Sequence, residues 1–222
     1  MIAAEGTAKA PLIRAGQRRL NSGLLLTLAV AALATGYFMA VRIHFLTDFS
    51  EASYSPYFWA KRYGLVVHIW AGLIAIICGF AQVGLGMTGQ TGVLHRRLGW
   101  TYAVSVGVSA ATAIQLATAV PGHFAYASGL FMNAVIWAAT TAIGLWALQR
   151  GRIALHREWM LRSYVLALAF TAARIMLPVL RLFVEVPKDM LADDIQATVA
   201  WACWVIPLIL FDVGRSMYAL RH

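Results

Sequence analysis

The chain has 222 residues, of which 61% are apolar and only 12% charged, well short of the roughly one quarter charged residues of a soluble domain. That balance excludes a water-soluble globular fold and points to an all-α integral membrane protein. The formal charge of +9 follows from basic residues in loops, a matter of membrane topology, so no nucleic-acid partner is read from it.

Six stretches have about the length and apolarity of a membrane-crossing helix, which needs roughly 20 residues. A basic segment, residues 1–21 with Lys9, Arg14, Arg18 and Arg19, leads into the first stretch at 24–41. Ala32-Leu33-Ala34 imitates a signal-peptidase site, yet this stretch is expected to stay as a true first helix. The second runs over 64–86 and has His68 near its start. Arg96 and Arg97 follow His95 ahead of the third, 99–120, and His123 stands directly before the fourth, 124–148. Arg150, Arg152, His156 and Arg157 precede the fifth, 160–183; the sixth, 198–218, ends with Arg215 and Arg221 close by. The expected fold class is therefore a six-helix bundle in a single transmembrane domain, 1–222, with helices two to five as a four-helix core.

Basic residues are retained on the cytoplasmic side. The Arg-rich connections then lie inside, together with both termini, and the connections holding Asp48, Glu51, Glu185, Asp189, Asp193 and Asp194 lie outside. A bacterial inner membrane is the expected location. Cys78 and Cys203 fall deep in helices and read as small apolar residues, and no Cys-x-x-Cys-His occurs for covalent haem.

Ionisable side chains in membrane helices mark function by default. Helices two to five carry one histidine each, at alternating ends, which pairs His68 with His123 at the outer face and His95 with His156 at the inner. Leu94-His95-Arg96-Arg97 is echoed by Leu155-His156-Arg157-Glu158, as if two hairpins were related by a pseudo-two-fold axis. Facing imidazoles suit bis-histidine ligation of haem b. The expected iron ligands are His68, His123, His95 and His156, with one or two haems. From His68 the helical repeat gives Gly72, Ala75, Gly79 and Gly86, a smooth groove for a macrocycle interrupted by Gln82. Arg174 and Arg181 share one face and suit outer propionates, with Arg174 expected to face the bundle interior against a haem or a quinone. Arg96, Arg97 and Arg157 suit inner propionates, although such residues more often serve topology and lipid-headgroup contact than a cofactor.

The histidine alternation resembles the cytochrome b561 type of transmembrane electron carrier. LHRRLGW (94–100) and HREWMLRSY (156–164) resemble a bacterial membrane family of unknown function. The first resemblance implies haem at the four histidines and electron transfer across the bilayer, or between a quinone and a partner protein. No catalytic acid, base or nucleophile constellation is visible, so an electron carrier or subunit is expected rather than a stand-alone enzyme. Two alternatives remain open: a haem-free accessory or assembly subunit of a larger membrane complex, and a small metal- or proton-handling transporter. The lipid bilayer is the first partner, and a homodimer or a larger complex is the expected assembly.

Overall fold

A computed structural model describes scattered residues between 29 and 43, and then 47–118, 124–183 and 192–221. All of the secondary structure there is helical: α1 (Glu51–Trp59), α2 (Arg62–Met87), α3 (Val93–Ala117), α4 (Phe124–Gln149), α5 (Ile153–Ala167), α6 (Ala169–Phe183) and α7 (Ala192–Arg221). His123, His44 and His222 fall outside the described residues, as does most of the first predicted stretch. A foothold of that stretch is visible where Thr35 Oγ1 meets Thr171 Oγ1 of α6 at 2.6 Å.

Two antiparallel hairpins, α2–α3 and α4–α5, are closed by the same turn at the same end of the molecule. Gly89 and Gly151 adopt φ of 74° and 69°, a left-handed conformation in which a Cβ is strained. Gln90 N–H donates to Leu85 O at 2.9 Å, and Arg152 N–H to Ala147 O at 2.9 Å. These are Schellman closures that satisfy the last carbonyls of α2 and α4. The end so formed holds the arginine-rich connections. At the opposite end Lys61 Nζ donates to Gln115 O at 2.8 Å and to Thr118 Oγ1 at 2.5 Å, capping α3 with a cation where the helix dipole favours one.

Among the described residues, α2, α4 and the 195–217 part of α7 are long and apolar enough to cross a membrane. The α5–α6 pair makes a fourth when taken as one span, bent by 45°. The expectation of a six-helix bundle with helices two to five as its core is corrected in three respects. The fifth stretch is two helices, parted at Leu168, whose N–H is shared between Tyr164 O and Val165 O at 3.2 Å each. The bend stands ten residues ahead of Pro178, which lies inside α6, so proline does not cause it. An additional short helix, α1, precedes α2 and buries Tyr54 against Phe49 and Trp59. Finally, α7 is part of the core and not a flank: Val199, Ala200, Cys203 and Trp204 recur at helical spacing and are buried with Trp137 of α4 and Tyr164 of α5.

α3 is as long as its neighbours, at 25 residues, but is absent from the apolar spans. The reason is its inward face, which buries Tyr102, Ser105 and Ser109. Tyr102 and Ser109 point into the protein, where Ser163 and His68 of neighbouring helices meet them, and its outward positions Val104 and Val108 are exposed.

Candidate functional site

At the arginine-rich end, His95 lies in the first turn of α3 and His156 in the first turn of α5, both half-buried. His156 Nδ1 sits 2.8 Å from Gly144 O. A carbonyl only accepts, so this nitrogen carries a proton. His95 Nδ1 is buried and has no hydrogen-bond partner. Burial, reinforced by the neighbouring His156, holds the His95 imidazole below its ordinary pKa. The Gln82 amide of α2 donates to His95 O, and the His95 ring packs over Gly86. The structure thus brings the inner histidine pair together.

Of the outer pair, only His68 lies among the described residues. His68 of α2 is held by α3: its Nδ1 lies 2.9 Å from Ser109 O, 3.1 Å from Ser109 Oγ and 3.5 Å from Thr112 Oγ1. Ser109 O can only accept from a protonated Nδ1, whereas the two hydroxyls can donate to a bare one, so either tautomer of His68 finds a partner here.

Between these levels lies a polar cluster that the sequence reading did not single out as a site. Tyr102 Oη and Ser163 Oγ are 2.6 Å apart, and Ser163 Oγ is 2.7 Å from Thr141 Oγ1. Trp137 Nε1 donates to Tyr102 Oη at 3.4 Å. Three helices thus meet on one chain of buried hydroxyls. The signal that could have revealed it is spacing. Tyr102 follows His95 by seven residues, and Ser163 follows His156 by seven, so each stays on its histidine's face.

A second cluster joins α5 to α7 through acids that lie within helices and not in the outer connections. Asp212 lies within the sixth stretch and receives Arg162 Nη2 at 2.8 Å; Glu158 receives Arg215 Nη2 at 2.5 Å and Arg162 Nη1 at 3.9 Å. These contacts string the four side chains into an open chain, Arg215–Glu158–Arg162–Asp212, that cross-links α5 and α7 beside an open cleft.

The predicted arginines take no part in either cluster. Arg96, Arg97 and Arg157 are exposed. Arg174 is exposed too, with its guanidinium 5.1 Å from the Phe170 ring and near Tyr126. Its expected inward stance is corrected, since α6 turns that face outward. Arg181 lies in α6, with its side chain outside the described residues.

The small-residue stripe decides whether a macrocycle fits. A Cβ on Gly79 would collide with the Tyr164 ring and approach Tyr102 within 3.1 Å. On Gly72 it would meet Ser109 Oγ at 3.5 Å, and on Gly144 it would meet Met160 Sδ at 2.7 Å. The groove expected to receive haem is filled by side chains of the facing helices, so the residues present do not fit a porphyrin there. Among the described residues no group of three or more His, Cys, Asp or Glu converges as metal ligands. The cytochrome b561-type di-haem architecture is therefore corrected: the stripe is a packing surface, and His68 is joined to α3.

A family model described as "Predicted membrane protein (DUF2306)" matches residues 65–213, more than half of the chain, from α2 into α7. No curated protein and no solved structure matches the chain.

Proposed function

The chain belongs to this DUF2306 membrane family, and we propose that it serves as a haem-free accessory or assembly subunit of a larger complex in the bacterial inner membrane. The observation that carries this reading is the filled groove: Tyr164 and Tyr102 stand over Gly79, where a cofactor would otherwise lie between helices. Small residues used this way let helices approach closely, which is the ordinary chemistry of association in lipid. In this reading the arginine-rich end faces the cytoplasm, as the distribution of Arg96, Arg97, Arg150, Arg152 and Arg157 favours.

The test is purification in a mild detergent, followed by a reduced-minus-oxidised visible spectrum and native mass spectrometry. The expected result is a spectrum without a Soret signal and a mass containing a second, different membrane chain in fixed stoichiometry. A b-type signal in fixed ratio to the protein would overturn the reading, and so would a protein that is alone under every gentle extraction.

A further inference from the structure

We infer that the inward face of α3 is a proton-transfer line running between the two ends of the bundle. This goes beyond the accessory role and does not depend on it.

The line is laid out by helical spacing. His95, Tyr102, Ser105, Ser109 and Thr112 are separated by three, four or seven residues and so share one face of α3. Neighbouring helices bring polar groups to the same levels. At the arginine-rich end His156 of α5 stands beside His95. The Gln82 amide of α2 lies against Gly99, between the levels of His95 and Tyr102. Ser163 and Thr141 join Tyr102 from α5 and α4, and His68 joins Ser109 and Thr112 from α2. Beyond them Lys61 reaches Gln115 and Thr118 at the far end. From His95 to Thr118 the helix rises roughly 35 Å at about 1.5 Å per residue, enough to pass the roughly 30 Å hydrocarbon layer. From Tyr102 to Thr112 successive rungs stand about 4.5–6 Å apart along the axis, a separation that one bridging water spans, while the roughly 10.5 Å from His95 to Tyr102, past Gln82, takes a chain of waters.

Hydrogen bonding between packed helices would by itself account for pairs such as Tyr102–Ser163. It does not account for His95 Nδ1, which is buried without a partner at the inner end of the line. Nor does it explain why polar groups from three other helices converge on one face of one helix. Hydroxyls and imidazoles both donate and accept. A proton taken up at the His95–His156 end can thus be passed on by breaking one O–H or N–H bond for each one formed. One proton enters at that end, one leaves at the His68 end, and no electron moves.

The experiment uses the full chain in liposomes that enclose a pH-sensitive dye, with a potassium gradient and valinomycin supplying the driving potential. Wild-type vesicles are expected to change internal pH faster than protein-free vesicles. Tyr102→Phe and Ser163→Ala are expected to slow that excess rate by roughly tenfold or more, as a barrier raised by about 1.4 kcal/mol would. Val104→Ala, on the exposed face of the same helix, is expected to leave it unchanged. Thermal unfolding in detergent separates a broken line from a broken fold; if either core variant fails to fold, Ser109→Ala takes its place. Wild-type flux no faster than that of protein-free vesicles would overturn the proposal, as would folded Tyr102→Phe and Ser163→Ala proteins that retain the full rate.

Discussion

At the scale of single residues, the glycines show how tightly the interior is filled. Gly79→Ala drives a methyl into the Tyr164 ring, which is itself buried and backed by Tyr102. Overpacking of this kind costs about 1–3 kcal/mol, and reversible unfolding in mixed micelles should show it. Gly144→Ala meets the flexible end of Met160 and should cost clearly less in the same assay. His95 supplies a pH dependence. Its pKa is lowered in the folded protein, by burial first and His156 second, so as pH falls the unfolded chain takes up the proton before the folded one. The stabilisation is complete above the unfolded value, near 6.5, and is lost as pH falls toward the lower folded value. Melting temperature should therefore drop on acidification through that window, and His95→Gln should flatten the dependence; an unchanged slope would remove His95 as its source. These residues were legible in part. The histidines stood out because ionisable groups are rare in apolar stretches, and His156 lies near enough to His95 for the two imidazoles to interact. What filled the glycine stripe was not legible, because a small residue announces a close approach without saying whether a neighbouring helix or a ligand makes it.

At the scale of elements, the α5–α7 contact rests on its charges. Arg162 is only 21% exposed and Asp212 43%, so solvent screens the pair incompletely. A double-mutant cycle with Arg162→Ala and Asp212→Ala should give a coupling of about 0.5–1 kcal/mol, at the upper end for surface pairs. Unfolding measured across a salt series should show that coupling shrink without vanishing. Length and apolarity were enough to locate α2, α4 and α7 as long helices. The division of the fifth stretch was invisible, since no glycine or proline stands at Leu168 to mark it. The same limit hid the role of α7: hydropathy reports that Cys203 and Trp204 are apolar, not whether they face lipid or the core.

At the scale of the whole molecule, the two Schellman turns, the first turns of α3 and α5, and the far end of α7 gather at one end. That end carries Arg96, Arg97, Arg150, Arg152 and Arg157. Alkaline phosphatase fused after Gln90 or Gly151 should be inactive, as expected of a cytoplasmic site, and active when fused near Asp193; the reverse pattern would invert the molecule in the membrane. The inward polarity of α3 bears, finally, on how the protein is made. A helix whose buried face carries Tyr102, Ser105 and Ser109 gains little by leaving the translocation channel alone, because lipid offers its hydroxyls no partner. Its escort must be α2, already synthesised and strongly apolar, with the Gly89 turn closing the hairpin before either helix is released. The hydroxyl of Tyr102 then waits for Ser163, which the ribosome delivers about sixty residues later at roughly 5–20 residues per second.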